Sequence, residues 1–213
     1  MNSAGGYGGH RASRLLGVAC MLVSALALGV RTARADSPGP PASNGPALFS
    51  PQEVSFRFAY GITKHESLRF YTFGPRVAYD LPDFVPALAG NRFRIGIEAT
   101  GSIIEGDERS HEGEFALSPL IFDYRYDTGG RLVPFVEGGE GIVLTTLQDL
   151  SIGGPFEFSS QVGTGVHVML SAEDAVTIAF RMRHMSNGGL SHDNRGLNTY
   201  FIHVGFSRFP GRK

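Results

Sequence analysis

Apolar and polar residues alternate along most of this chain from Gln52 onward, and the alternation falls into about eight segments. Successive side chains of a β-strand point to opposite faces, so this alternation predicts strands with one apolar and one polar face. The segments cover residues 54–60, 71–79, 93–99, 114–126, 132–145, 156–170, 176–186 and 200–206. In the fourth, the apolar positions change parity near Pro119, which predicts a β-bulge. The pattern predicts an all-β protein.

The polar faces of several predicted strands carry charged or other polar residues. These are Arg92, Arg94 and Glu98 on the third segment, Gln161 and His167 on the sixth, and Arg181 and Arg183 on the seventh. Charges of both signs can pair inside a narrow lumen while the apolar side chains face lipid. The sequence therefore predicts an eight-stranded antiparallel transmembrane β-barrel. A soluble β-sandwich or lipocalin-like barrel, with its apolar face turned inward, is the alternative.

The connections between segments predict the orientation of the barrel. Those at 127–130 and 171–174 are tight turns, whereas those at 105–113, 148–154 and 187–196 are longer. Bacterial barrels place short turns in the periplasm and longer loops outside. The connection at 80–91 is an exception, because it is long on the predicted periplasmic side. Ser186, at the upper end of the seventh strand, is thus expected at the outer leaflet.

The beginning of the chain resembles an export signal. Residues 1–35 combine a basic start, a short apolar run and the cleavage site Ala33-Arg34-Ala35, which predicts a cleavable signal peptide. A membrane anchor is the alternative, but the apolar run is shorter than the ~20 residues that a helix needs to span a bilayer. Residues 36–50 are rich in Pro, Ser, Gly and Ala and predict a flexible lead-in. Residues 51–213 form the predicted barrel.

Composition narrows the possible functions. The chain has 213 residues, a size that fits one domain, and a formal net charge of -1 that gives no reason to expect nucleic-acid binding. Its only cysteine, Cys20, lies in the predicted signal peptide. A mature protein without that segment has no thiol, which excludes cysteine chemistry.

A His and a Ser stand at apolar positions of the seventh segment. His184 and Ser186 share the parity of Val176, Ile178, Phe180 and Met182. Residues i and i+2 of a strand lie ~7 Å apart along the backbone, so an imidazole can lean toward the hydroxyl. A serine hydroxyl becomes a good nucleophile when a neighbouring base takes its proton. A nucleophile and base on a lipid-facing surface indicate an enzyme whose substrate is the surrounding lipid.

The following residues supply candidates for the remaining parts of such a site. Asn198 has the parity of Tyr200 and Ile202 on the neighbouring strand, so its side-chain oxygen can accept the other ring N–H of His184. Backbone N–H groups of the Asn187-Gly188-Gly189 turn, and the side chains of Asn187 and Asn194, are candidate oxyanion donors. The alternative is an ordinary hairpin turn flanked by interfacial polar residues.

Two stretches carry a family resemblance. His184-Met185-Ser186-Asn187-Gly188-Gly189-Leu190, followed by Asn194-Arg195-Gly196-Leu197-Asn198, resembles the signature of PagL-type lipid A 3-O-deacylases, also called acyloxyacyl hydrolase-like. The stretch 132–139 resembles the Pro-aromatic-Val-Glu-x-Gly strand of that family. The resemblance implies an eight-stranded outer-membrane barrel with His184 as base and Ser186 as nucleophile. It also implies that Asn187, Gly189 and Asn194 surround the oxyanion.

The chain departs from this family pattern at Asn198, where the best-known form of the motif has Glu. An amide cannot supply the negative charge that stabilises an imidazolium, and the corresponding change in a serine protease lowers turnover by ~10⁴. Asn does serve this role in papain-like proteases. Asp193 is a possible substitute acid. Glu140 shares the parity of Ile142 and Leu144, and the sequence leaves open whether it faces lipid.

The sequence and the resemblance together lead to an expected function. We expect an outer-membrane esterase that removes the 3-hydroxyacyl chain ester-linked at the 3 position of lipid A, through an acyl-serine and without metal or cofactor. Its expected partners are lipopolysaccharide as substrate and the surrounding outer-membrane lipid. The alternatives are a non-enzymatic structural or adhesive outer-membrane barrel and a soluble periplasmic ligand-binding β-barrel.

Overall fold

A computed structural model describes residues 50–64, 66–81, 93–107, 109–126, 129–147, 152–191 and 194–212. The predicted signal peptide, and nearly all of the predicted lead-in, lie outside these residues. The strands are β1 (Glu53–Thr63), β2 (Arg69–Asp80), β3 (Phe93–Gly106), β4 (Arg109–Arg125), β5 (Leu132–Thr145), β6 (Phe156–Met169), β7 (Asp174–Ser186) and β8 (Leu197–Arg208). Each strand pairs with the next, and β1 pairs with β8 to close the barrel. The predicted eight-stranded antiparallel barrel is confirmed.

The β3–β4 hairpin corrects one part of the prediction. The prediction of a long connection at 105–113 is wrong, because β3 continues to Gly106 and β4 begins at Arg109. Strand ends that rise above the hydrocarbon need no apolar face, so the alternation fades there while the backbone pairing continues. The predicted bulge is confirmed, since the β4–β5 register shifts between Leu117 and Leu120.

The outer surface of the barrel is apolar and the lumen is polar. Phe58, Val162, Ile202 and Phe206 are all more than half exposed, while the alternate positions of the same strands are turned inward. A soluble sandwich or lipocalin-like barrel has the opposite arrangement, so the structure contradicts that alternative. No helix among the described residues is long and apolar enough to cross a membrane.

Glu137 of β5 lies at the centre of the ion pairs that fill the lumen. Its carboxylate accepts hydrogen bonds from Arg57 at 3.2 Å, from Arg76 at 2.8 Å and from Arg181 at 2.6 Å. All four side chains are buried. A buried charge is tolerated when it is paired and hydrogen-bonded, so these residues must be present together.

Further pairs extend this network along the lumen. Arg181 also binds Glu98, Arg183 binds Glu114 at 2.6 Å, Arg94 binds Glu53 at 2.8 Å, and Arg76 binds Asp123. At the end opposite Ser186, the buried ring of Phe209 lies 5.4 Å from the Arg94 guanidinium and 5.3 Å from that of Arg125. The side chains thereby fill the interior and fix the strand register that presents the outer face.

We predict that Glu137→Gln destabilises the barrel strongly. The substitution removes the shared carboxylate from three buried guanidinium groups, and breaking a buried ion pair costs about 3–5 kcal/mol. Arg69→Gln is the matched control, because Arg69 forms an exposed pair with Asp107 at 3.5 Å, and such pairs contribute at most ~1 kcal/mol. Urea unfolding of the purified barrel, followed by its heat-modifiable band on gels, measures both. Equal midpoints for the two variants contradict the prediction.

Candidate active site

The outer face of β7 carries the predicted His–Ser pair. Ile178, Phe180 and Met182 of this strand are exposed on the outer surface, and His184 and Ser186 continue the same face. Both polar side chains are half-buried. The structure thus places an imidazole and a hydroxyl on the apolar exterior of the barrel, near the β7–β8 loop.

Asn198 lies beside His184. The two residues are cross-strand partners in the β7–β8 register, and His184 Nδ1 lies 2.9 Å from Asn198 Oδ1. A carbonyl oxygen only accepts, so Nδ1 is the protonated nitrogen and donates this bond. In the neutral ring the other nitrogen, Nε2, then holds the lone pair that a general base needs. The sequence predicted this contact from the parity of Asn198.

His184 and Ser186 do not form a hydrogen bond. Within the described part of the chain, the ring of His184 bonds to Asn198 and to no other residue. The two residues are one strand repeat apart, ~7 Å along the backbone. Catalytic hydrogen bonds are often long before substrate binds and shorten in the reacting complex, so this arrangement is compatible with a base and nucleophile.

Gly196 packs closely against the imidazole of His184, a contact that the sequence alone does not predict. Its φ is +67°, and a Cβ at this position would lie 2.6 Å from His184 Cε1 and 3.1 Å from Nε2. Only glycine accommodates both the left-handed backbone and this close approach. A glycine directly before the predicted eighth strand, inside the motif, was the available signal.

Several of the predicted oxyanion donors of the β7–β8 loop already form other hydrogen bonds. The backbone N–H of Asn187 donates to Asn194 Oδ1 at 3.1 Å, and that of Gly189 donates to Asn187 Oδ1 at 2.8 Å. The buried Asn187 side chain also donates to the carbonyl oxygen of Ile152 and to Ser191 Oγ. These bonds rigidify the segment that follows Ser186.

The side chain of Asn194, unlike the N–H groups of Asn187 and Gly189, still has donors to offer. Its side-chain oxygen is held by the N–H of Asn187, the residue that follows Ser186. The side-chain amide is exposed, and its Nδ2 donates to no atom of the described residues. Its N–H groups are therefore available close to the serine. Asp193, the possible substitute acid, lies outside the described residues.

A groove opens beside Asn198 at the same end of the barrel. Its volume is about 300 Å³, and it lies between the ends of β1 and β8. Its lining residues are Thr63, Lys64, Glu66, Arg195, Gly196, Leu197, Asn198 and Tyr200. The groove thus joins the polar rim of the barrel to the His184–Asn198 pair.

Glu140 faces outward, which answers the question that the sequence left open. It is exposed together with Ile142 and Leu144, and its Oε2 accepts a hydrogen bond from Ser160 Oγ at 2.7 Å. Ser160 was not selected from the sequence, although it is a polar residue at an apolar position between Phe158 and Val162. No cluster of three or more His, Cys, Asp or Glu side chains suited to a metal ion occurs among the described residues.

Comparison with known proteins identifies the family. Residues 83–207 match the family model described as Lipid A 3-O-deacylase (PagL). The chain belongs to the PagL family. The matched region begins before β3 and includes all of the candidate site residues, so the assignment covers the part of the barrel that carries the site.

Individual relatives of the PagL family agree with this. The lipid A deacylase PagL of Pseudomonas aeruginosa is 29% identical over 100 residues, which are 46% of this chain and 54% of that protein. The match thus spans about half the length of that relative. The crystal structure of the outer membrane enzyme PagL superposes with a TM-score of 0.59 at 23% identity, covering 71% of this chain and 97% of that one.

A second solved structure also shares the fold. Neisserial surface protein A superposes with a TM-score of 0.51 at 13% identity, covering 74% of this chain and 94% of that one. The barrel architecture is therefore common to proteins outside the PagL family, and any argument about chemistry must come from the site residues.

We predict that Gly196→Ala displaces the imidazole of His184. The new methyl group would overlap Cε1, so the ring must rotate and lose its bond to Asn198. Gly211→Ala is the matched control, because Gly211 has a φ of +78° but a Cβ there meets no atom within 4 Å. Nitrogen NMR of the His184 ring in micelles measures the Nδ1–H tautomer. An unchanged ring spectrum in Gly196→Ala contradicts the prediction.

Proposed function

We propose that this protein is an outer-membrane esterase that removes the 3-hydroxyacyl chain ester-linked at the 3 position of lipid A. The observation that carries the proposal is the His184–Asn198 pair, which lies on the apolar exterior one strand repeat from Ser186. Membership of the PagL family supports lipid A as the substrate. Because the site faces outward, a lipid reaches it from the bilayer.

The proposed reaction begins with Ser186. Its Oγ attacks the ester carbonyl carbon while His184 Nε2 takes the hydroxyl proton. The tetrahedral intermediate collapses, the sugar oxygen leaves with the proton from His184, and an acyl-serine remains. Water then loses a proton to His184 and attacks the acyl-serine. As the bond between the acyl carbon and Oγ breaks, His184 returns this proton to Oγ, which releases the free fatty acid and restores the serine. Throughout, Asn198 keeps the ring in the productive tautomer.

The oxyanion of each tetrahedral intermediate requires hydrogen-bond donors. We assign the Nδ2 group of Asn194 to this role, because the Asn194 side chain is anchored next to Ser186 and its amide N–H groups are available. In this proposal Asn187 and Gly189 do not contact the oxyanion and act indirectly. Their N–H groups hold Asn194 and the loop in place, and they reach the oxyanion only if the loop rearranges.

Asn198 favours a second candidate function, a structural or adhesive outer-membrane barrel without activity. The amide carries no charge, and His184 has no hydrogen bond to Ser186 within the described residues. The two candidates differ in one measurable property. Lipid A from cells with and without the protein has identical mass spectra if the barrel is inactive, and differs by one hydroxyacyl chain if it is an esterase.

We predict that Ser186→Ala abolishes deacylation of lipid A. Removal of the nucleophile lowers turnover by more than ~10³, since the same loss in a serine protease costs even more. Thr164→Val is the control, because it removes another exposed hydroxyl from the outer face, on β6. Mass spectrometry of lipid A measures the activity, and heat modifiability verifies the fold. Normal deacylation by Ser186→Ala would exclude the serine mechanism.

We predict that Asn198→Glu raises the rate of deacylation. A carboxylate that bonds to Nδ1, as Asn198 Oδ1 now does at 2.9 Å, would stabilise the imidazolium that the amide cannot. The gain should be ~10-fold or more, within the ~10⁴ known for the reverse change in a protease. Asn198→Leu, which lacks the acceptor, should be slower than the unsubstituted protein. The initial rate of fatty acid release compares all three. A slower Asn198→Glu variant argues against Asn198 as the partner of the base.

A further inference from the structure

Four polar side chains from four adjacent strands form one row across the outer face. In the register, Glu140 of β5 is opposite Ser160 of β6, Ser160 is opposite His184 of β7, and His184 is opposite Asn198 of β8. We call these four residues the outer row. Two hydrogen bonds join them in pairs, Ser160 to Glu140 and His184 to Asn198.

The Glu140–Ser160 pair is polar in a part of the outer face that is otherwise apolar. Its outward neighbours along the strands are apolar, with Ile142 on β5 and Phe158 and Val162 on β6 all exposed. The lumen carboxylates of Glu98, Glu114 and Glu137 each bind an arginine, whereas Glu140 pairs with no cation among the described residues. An ionisable group on a lipid-facing surface is unfavourable and indicates a functional site.

The geometry of the outer row relates this pair to the path of a bound acyl chain. Ser186 ends β7 at the loop end of the barrel, and the outer row lies one strand repeat, ~7 Å, further from that end. A lipid chain bound at Ser186 runs from its ester toward the bilayer centre. In the register, Phe158 of β6 is opposite Ser186 and Ser160 is opposite His184. A chain whose first carbons pass along β6 therefore meets Ser160, which holds the Glu140 carboxyl group.

The pair can accept hydrogen bonds from such a chain. Ser160 donates to Oε2 and orients the carboxyl group, which leaves Oε1 without a partner among the described residues. A hydroxyl group on the chain would satisfy Oε1. An acyl chain without a hydroxyl group would leave Oε1 facing hydrocarbon, which is unfavourable for a polar group.

We propose that Glu140, oriented by Ser160, binds the hydroxyl group of the acyl chain and selects hydroxylated esters over plain ones. This inference rests on the proposed function, because it assigns the bound chain to the ester cleaved at Ser186. Glu140 is a specificity-determining residue and takes no part in bond making or breaking.

The test uses the full-length barrel in micelles with two substrates. Both are phosphorylated glucosamine lipids acylated at the 3 position, one with a 3-hydroxytetradecanoyl ester and the other with a tetradecanoyl ester. We expect the unsubstituted protein to prefer the hydroxylated ester in kcat/KM by about tenfold or more, the usual effect of one hydrogen bond to a charged group.

Glu140→Leu should remove the preference while leaving the rate on the plain ester unchanged or higher. Leucine suits a lipid-facing position, so this variant is expected to fold. Ser160→Ala should reduce the preference in part, since the carboxyl group remains but is less well oriented. Thr164→Val, four residues along β6 and also exposed, should retain the full preference.

Two outcomes overturn the inference: a preference that survives Glu140→Leu, or an equal loss of rate on both esters. Binding of the two lipids to Ser186→Ala, with and without Glu140→Leu, separates this from the proposed function. If the unsubstituted protein cleaves neither ester while Ser186→Ala still binds the hydroxylated lipid through Glu140, the esterase proposal fails and the hydroxyl site stands. If the binding preference is also absent, both fail.

Discussion

Closure of the sheet by hydrogen bonding between β1 and β8 is the constraint on which the structure depends. Hydrocarbon offers no partner for a backbone N–H or C=O group, so a sheet in a membrane must have no open edge. The pairing from Val54 with Arg208 to Thr63 with Thr199 meets this requirement. Closure also fixes the two faces of every strand. The apolar face must turn outward, and the polar side chains must then form their hydrogen bonds and ion pairs with one another inside the lumen.

The same constraint explains how chemistry arises on the outer surface. Side chains at outward positions are normally apolar. Two polar groups on the outer face therefore meet only where neighbouring strands pair at those two residues. His184 and Asn198 meet because β7 and β8 pair at those residues, and Glu140 and Ser160 meet because β5 and β6 do. In the proposed enzyme, recognition and catalysis thus occupy neighbouring strands on one side of the barrel, where a single lipid can contact both.

The sequence predicted the parts of the structure that follow from period-two alternation. The eight strands, the bulge near Pro119, the outward direction of His184 and Ser186, and the contact with Asn198 all depend only on parity and strand order. Parity carries no information where strands leave the membrane, so it does not predict the extended β3–β4 hairpin.

Alternation also says nothing about loop conformation. The internal bonds of Asn187 and Gly189, and the contact of Gly196 with the imidazole, depend on the path of the β7–β8 loop in three dimensions.

The filled lumen has a consequence for the cell. Ion pairs centred on Glu137 occupy the barrel axis, and the cavity lined by Glu98, Gln161 and Arg181 holds only about 20 Å³, the space of one water molecule. An eight-stranded barrel whose described lumen is filled by its own side chains is expected to pass no solute through its interior.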